Sequence, residues 1–189
     1  MMSQQRSSRR STLKCLGAMG AATLLGGAAA PSSSAEPEAQ KKKSKDVADP
    51  ADLAVARFAK GHSCAQAVFS AFAEPMGMDY TTAVKLTSGF GGGMGMGSVC
   101  GAVTGALMAI GLKFGGVDPK AKEQTSRLTR ELVRRFKAQH RSVNCRELLG
   151  CDPTTPEGRR TIQEKNLRST VCTVAIRDAA NLVKELLAH

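Results

Sequence analysis

Residues 89–112 read GFGGGMGMGSVCGAVTGALMAIGL, a run of 24 positions with nine glycines and no charge. The glycines of the first half disfavour both helix and strand, because glycine leaves the backbone too free for either. The second half has helical length, with Gly101, Gly105 and Ala109 spaced by four along one helical face. The stretch therefore predicts a glycine-rich loop that leads into a buried helix. Cys100 lies near that helix start, where free N–H groups favour a bound negative group.

Two other interpretations of this uncharged run are disfavoured. A transmembrane span needs about 20 helical apolar residues, whereas the part with helical character covers only residues 99–112. A nucleotide site would need a phosphate-binding loop, and neither GxxxxGK[ST] nor GxGxxG occurs in the run. We expect no transmembrane span in the mature chain.

The first 35 residues have the pattern of an export signal. Residues 8–14 read SRRSTLK and are followed by the apolar segment CLGAMGAATLLGGAAA. The pair Arg9–Arg10 resembles a twin-arginine signal, although Thr12 stands where an aromatic residue is usual. A Sec signal with a chance arginine pair is the alternative. We expect a twin-arginine signal peptide over residues 1–35, cleavage after Ala35, and a periplasmic location.

The mature chain is predicted to be a linker followed by one domain. Loss of the signal removes four basic residues and no acid, which lowers the formal net charge from +11 to +7. Residues 36–50 read EPEAQKKKSKDVADP and are expected to form a disordered linker. The remaining residues 51–189 suit one compact domain. They contain no Trp, one Tyr and few β-branched runs, so a sheet-rich fold is disfavoured.

Hydrophobic periodicity and capping residues predict an all-α domain of about six helices. Asp79 is a candidate N-cap of the third helix, and Asp118–Pro119 opens the longest one. The segment DPTTPEG, residues 152–158, is expected to be a loop. The predicted helices cover residues 51–60, 64–74, 79–88, 99–113, 119–140 and 167–187, with one helical turn at 145–149.

Basic side chains form a stripe along the longest predicted helix. Its members are Arg127, Arg130, Arg134, Lys137 and Arg141, spaced alternately by three and four. A solvated helix face is the default interpretation. The functional alternative is a docking surface for an acidic redox partner protein or an anionic lipid. No nucleic acid is expected as a partner, because no recognisable binding motif or aromatic interleaving is present.

The cysteines carry the remaining argument. Cys15 leaves with the signal, and the mature chain keeps Cys64, Cys100, Cys145, Cys151 and Cys172. No CxxC occurs, and five thiols cannot all pair internally, so spacing alone leaves disulfides, inert core thiols and a metal site open. All but Cys151 and Cys172 are predicted at helix starts, where the thiol pKa should fall. Export in folded form by the twin-arginine route favours a cofactor loaded before export.

Four cysteine-containing segments resemble the C-GCAxxG-C-C family of putative redox-active proteins over roughly residues 51–187. They are GHSCAQAVFSAF, the glycine stretch with CGAVTG, CRELLG and VCTVAIRDAANLV. The resemblance implies a small helical module that brings four cysteines together. A related module in split-Soret cytochromes is associated with an iron–sulfur cluster. It thus implies Cys64, Cys100, Cys145 and Cys172 as ligands of a [2Fe–2S] or [4Fe–4S] cluster, with Cys151 outside the set.

These observations predict an exported iron–sulfur protein that acts in electron transfer. The glycine loop would present Cys100 and backbone N–H groups to the cluster. Direct thiol–disulfide chemistry and a metal-free domain stapled by disulfides are the alternatives. No catalytic residue is predicted, since no Ser/His/Asp or paired-carboxylate pattern occurs, and enzymatic activity is left open. His62 is expected to be exposed or to cap a helix, with a ligand role as the alternative, and His140 is expected to be a helix-end charge stabilised by the dipole. Met94 and Met96 are expected to pack, with shielding of the cluster as the alternative.

Overall fold

The structure is a computed structural model that describes residues 48–188. The predicted signal peptide and residues 36–47 of the predicted linker lie outside this range. Eight α-helices and one isolated antiparallel bridge, Val99–Asn144, make up its regular structure, and no named strand occurs within 48–188. The predicted all-α domain is confirmed. The helices are α1 (Pro50–Ala59), α2 (Cys64–Ala73), α3 (Tyr80–Leu86), α4 (Gly101–Phe114), α5 (Pro119–His140), α6 (Cys145–Leu149), α7 (Pro156–Glu164) and α8 (Thr173–Leu187).

Helix starts are set by side chains that cap free backbone amides. Asp79 accepts a hydrogen bond from the Thr82 amide at 2.8 Å, and Asp118 accepts one from the Ala121 amide at 3.0 Å, which confirms both predicted N-caps. Ser63 and Gln66 form a reciprocal capping box at the start of α2. The first cysteine of the domain, Cys64, is therefore fixed in the first turn of α2.

The prediction for residues 152–158 is wrong in its second half, because α7 begins at Pro156. Thr155 caps this helix by accepting from the Gly158 amide at 3.0 Å. Only Gly158 is buried along α7, which is a polar helix on the surface of the domain, and the two prolines of the segment favour a loop in the sequence. The last helix also differs from its prediction. Residues 168–172 form a wider π-type turn, and the regular helix α8 begins at Thr173.

The small-residue face of α4 packs against α2 inside the chain. A Cβ added at Gly105 would lie 2.7 Å from the Ala65 carbonyl oxygen, and one added at Gly101 would lie 3.0 Å from the Ala65 amide nitrogen. Only glycine allows the two backbones to approach this closely. The largest side chains that are completely or almost completely buried are those of Phe136, Ile110, Leu132, Ile176 and Leu182.

The face of α5 opposite the core is solvated. Leu128, Leu132 and Phe136 are buried as predicted, whereas Ala121 is only half-buried. All five members of the basic stripe are exposed. Arg134 pairs with Glu131 of the same helix at 2.7 Å. In the described part of the chain, no helix combines the length and the apolar character that a membrane crossing requires.

Candidate functional site

The glycine segment forms an unusual left-handed turn. Residues 92–95 all have positive φ angles, of 59°, 63°, 59° and 67°. Met94 is the one residue among them with a side chain, and such a conformation costs an L-residue about 1–2 kcal/mol. The turn closes where the Ser98 amide donates to the Gly93 carbonyl at 3.1 Å. A Cβ at Gly93 would lie 2.6 Å from the backbone of Ser98 and 2.9 Å from Cβ of Cys145, so this glycine permits the close approach to α6.

A short backbone bridge holds two of the cysteines together. The Cys100 amide donates to the Val143 carbonyl at 2.7 Å, and the Cys145 amide donates to the Ser98 carbonyl at 2.7 Å. Cys100 is therefore presented by the end of the loop, immediately before α4. Its own N–H group, however, is used in the bridge and is not available to a bound group.

Cys64 and Cys172 come from two other elements of the domain. Cys64 is the first residue of α2, and Cys172 ends the π-type turn before α8. Both thiols line the same cavity, and each shifts the pKa of the other as its hydrogen-bond partner. Gly101 contributes to this arrangement, since a Cβ there would lie 3.1 Å from Cβ of Cys64.

The thiols converge on a small cavity of about 140 Å³. Cys100 is buried beside it and does not line it, yet its charge would reach both Cys64 and Cys145. Within residues 48–188, no three His, Cys, Asp or Glu side chains are grouped so that they could hold a metal ion. The cavity is lined by Cys64, Cys145, Cys172, Gly92, Leu149, Pro153, Ile162 and Arg168.

The thiol pKa values run against the prediction from helix starts. Burial raises the pKa of Cys145 to about 12 and also raises the pKa of Cys100. The pKa of Cys64 is raised well above its ordinary value by the hydrogen bond with Cys172 and by burial. Loss of water thus outweighs the helix dipole at these thiols. The predicted fall in thiol pKa at these helix starts is wrong for all three.

Cys172 lies inside the predicted helix 167–187. Among the cysteines in residues 48–188, it is the only one whose thiol pKa is found below its ordinary value. The hydrogen bond with Cys64 lowers it first, and the positive charge of Arg168 lowers it further. Arg168 was not predicted as a site residue. It lies in a polar stretch that shows no motif, and only the fold brings it to the cavity wall.

Cys151 lies apart from the cavity. Its thiol is half-buried and donates to the Gly158 carbonyl at 3.7 Å, so it contacts the first turn of α7. Cys151 is not among the residues that line the cavity. Three of the four predicted cysteines, Cys64, Cys145 and Cys172, thus line the cavity, and Cys100 and Cys151 do not, although the charges of both would act on Cys145. The four predicted cysteines are called the gathered cysteines below.

Both histidines of the predicted domain that the structure describes lie away from the cavity. His62 is bound between the Arg57 carbonyl, at 2.8 Å, and the Tyr80 hydroxyl. His140 ends α5, stacks on Phe136 with ring centroids 4.3 Å apart, and lies 3.0 Å from the Asp178 carboxylate. Neither ring lines the cavity, in agreement with the roles expected of them at helix ends.

Arg146 and Glu147 fix the segments on either side of the site. Arg146 donates to the Met96 carbonyl at 2.5 Å, which ties the glycine segment to α6. Glu147 accepts from the Ser142 hydroxyl at 2.5 Å and from the Asn144 amide group at 2.8 Å, and so orders the turn before Cys145. The Met96 side chain is 58% exposed. Met96 therefore contributes its backbone, while its side chain points largely to solvent.

The comparisons with known proteins agree with this geometry. The profile of one family, described as putative redox-active protein (C_GCAxxG_C_C), matches residues 62–186, which include all four gathered cysteines. No curated protein and no solved structure matches the chain. Because the match covers well over half of the sequence, this chain belongs to the C_GCAxxG_C_C family of putative redox-active proteins.

Proposed function

We propose that the protein transfers electrons by means of an iron–sulfur cluster held by Cys64, Cys100, Cys145 and Cys172. The observation that carries the proposal is that three cysteines from separate elements, Cys64, Cys145 and Cys172, line one small cavity, while the fourth, Cys100, is buried within reach of their charges. Such a cluster takes up and gives back electrons, with a potential set by its surroundings. This proposal is more specific than the description of the family, which gives only redox activity.

The residues that line the cavity suit a sulfur-ligated inorganic group by their chemistry, although within residues 48–188 the thiols are not grouped as the ligands of a metal ion. Thiolates are the usual ligands of iron–sulfur clusters. The cavity of about 140 Å³ has several times the roughly 30 Å³ that one water molecule occupies in the liquid. Its other walls include Leu149, Pro153 and Ile162, which keep water away from the thiols. Since burial holds Cys145 protonated, a bound cation is needed to keep this thiol ionised.

Export and a protein partner belong to the same proposal. The arginine pair at residues 9–10 supports export by the twin-arginine route to the periplasm. The five exposed basic residues of α5 support a docking surface for an acidic redox protein. A mature protein that begins near residue 36, measured by mass spectrometry of a periplasmic extract, would support the route.

Metal analysis after anaerobic purification tests the cluster directly. We expect iron and acid-labile sulfide in comparable amounts, together with visible absorbance. Serine at any one of the four gathered cysteines should lower the iron content and the absorbance strongly. Cys151→Ser is the matched control, because Cys151 is half-buried nearby but does not line the cavity. A colourless protein without iron and sulfide would overturn the proposal.

The Cys64–Cys172 contact favours a second function, direct thiol–disulfide exchange. Each thiol acts on the pKa of the other as its hydrogen-bond partner, and the two pKa values shift in opposite directions. Oxidation would join the two sulfurs in a disulfide and pass two electrons and two protons to a disulfide acceptor. Mass spectrometry after alkylation, with and without reductant, separates the two functions. A reversible Cys64–Cys172 link in an iron-free protein would support exchange.

A further inference from the structure

An open groove lies on the outer side of the cysteine cavity. It has a volume of about 320 Å³ and runs between the end of α1 and the turn formed by residues 168–172. Arg168 belongs to the walls of both this groove and the cysteine cavity. The groove is lined by Phe58, Ala59, Gly61, Arg168, Ser169 and Thr173.

The guanidinium group of Arg168 is held in place without a carboxylate partner. Its central carbon lies 4.4 Å from the centroid of the Phe58 ring, so the ring supports the planar group from one side. None of the ion pairs formed within residues 48–188 includes Arg168. Stacking leaves the N–H donors at the rim of the plane, where they can bind an anion in a forked geometry.

We propose that this groove binds a small anionic electron donor or acceptor, whose negative group is held by Arg168. The inference rests on the proposed redox function, since the bound molecule would exchange electrons with the cysteine site. The groove volume is at the lower end of the range for ligand pockets, which favours a small molecule over a protein segment.

Two further contacts favour this groove as the access route to the site. The Thr173 hydroxyl donates to the Arg168 carbonyl at 3.1 Å, which orders the turn that carries both Arg168 and Cys172. Arg168 also lines the cysteine cavity together with Cys172. A negative group bound at Arg168 would therefore lie next to the redox site.

Electron acceptors of opposite charge test the proposal. The reduced protein, prepared anaerobically, is oxidised either by ferricyanide or by hexaammineruthenium(III), each of which takes one electron. Arg168→Gln should lower the rate ratio of ferricyanide to the ruthenium complex about tenfold, as expected for a lost charge-assisted hydrogen bond. Arg160→Gln is the control, because Arg160 is an exposed arginine of α7 that lines neither cavity. It removes the same charge and should change the ratio less than about twofold.

A groove-filling variant separates binding from simple attraction. Ala59 is exposed at the end of α1, so Ala59→Phe should narrow the groove without unfolding the domain. We expect Ala59→Phe to lower the rate of oxidation by ferricyanide although Arg168 is unchanged. Oxalate should inhibit ferricyanide oxidation of the wild type at constant ionic strength, and should not inhibit it in Arg168→Gln.

The inference is overturned if Arg168→Gln changes the rates with both acceptors equally, or if Arg160→Gln changes the ratio as much. It is also overturned if neither Ala59→Phe nor oxalate slows ferricyanide. Iron and sulfide analysis of the same preparations reports on the cluster separately. If the protein contains iron and sulfide but Arg168→Gln does not change the rate ratio, the proposed function stands and the proposed anion site in the groove is contradicted.

Discussion

The amides of Cys100 and Cys145 donate across one antiparallel bridge, each at 2.7 Å to a carbonyl of the opposite segment. Two cysteines separated by 45 positions in the sequence are thus held together by backbone hydrogen bonds. Because these bonds join backbone groups, a nearby substitution affects them only if it moves one of the two segments. Such a movement would separate the thiols. The first prediction concerns the glycine that permits this approach.

Gly93→Ala should disrupt the site. The added Cβ would lie 2.6 Å from the Ser98 backbone and 2.9 Å from Cβ of Cys145, at a φ of +63°. Strain and overlap together should lower the free energy of unfolding by about 3 kcal/mol. Urea denaturation measures this loss, and iron content should fall in parallel.

Gly95→Ala is the control for the left-handed backbone alone. Gly95 has a φ of +67°, and a Cβ there would meet no atom within 4 Å. We expect a loss of only about 1–2 kcal/mol in the free energy of unfolding. Equal losses in the two variants would contradict the role of Gly93 in the approach to Cys145.

Gly105→Ala and Gly111→Ala should have opposite effects on stability although both lie in α4. At Gly105 the new Cβ would lie 2.7 Å from the Ala65 carbonyl oxygen, which should cost about 1–3 kcal/mol. At Gly111 it would meet nothing within 4 Å, so the higher helix propensity of alanine should add about 0.5–1 kcal/mol. Thermal unfolding of both variants checks the signs, and two stabilised variants would contradict the close packing of α2 and α4.

Asp49 should make the stability of α1 depend on pH. Its carboxylate accepts from the Ala51 amide at 2.8 Å and pairs with Lys184 of α8. The hydrogen bond with Lys184, and then the one with Ala51, lower the pKa of Asp49. Because the folded-state pKa is depressed, this contribution is present above the unfolded pKa of about 3.9 and is lost as the pH falls through the folded value.

Asp49→Ala should therefore cost about 1 kcal/mol at pH 7 and less once the wild-type carboxylate is protonated, because the neutral carboxyl keeps a capping oxygen and loses the charge. Asp49→Asn is the comparison variant, since it keeps a capping oxygen and loses the charge. Urea denaturation at several pH values between 2 and 7 measures the difference in the free energy of unfolding between each variant and the wild type. At pH 7 this difference should be on the order of that expected for one N-cap. A difference that does not change with pH would contradict the contribution of the charge.

Arg146→Ala should loosen the glycine segment. Arg146 is half-exposed and joins the Met96 carbonyl to α6, so its loss should cost about 1 kcal/mol and speed hydrogen exchange over residues 93–97. Arg134→Ala is the control, because Arg134 pairs only within α5. Faster exchange in both variants would show that the link to Met96 is unimportant.

The sequence predicts most of the helices and the three cysteines that line the cavity, but not the electrostatics of the site. Asp79, Asp118 and the apolar period of α5 are local signals, and local signals specify helix positions. The pKa of Cys145 depends on burial by segments distant in the sequence. Helix position alone therefore predicts the wrong direction of the thiol pKa shift for Cys64, Cys100 and Cys145, because it carries no information on desolvation.

Arg168 and α7 could not be predicted for a related reason. Both occur in polar segments with few apolar residues. Arg168 reaches the cavity only because residues 168–172 form a π-type turn, and such turns have no reliable sequence pattern. The groove beside Phe58 follows from that turn, so it too becomes visible only in the structure.

The close contact of Gly101 and Gly105 with Ala65 shows that the residues of the CGAVTG segment have two separate roles. The glycines set the distance between α2 and α4, and Cys100 alone supplies a reactive group. A designer can therefore keep both glycines, exchange the four gathered cysteines for histidines or carboxylates, and start from a preorganised pocket for a different metal. The helix pair provides a scaffold whose chemistry is replaceable.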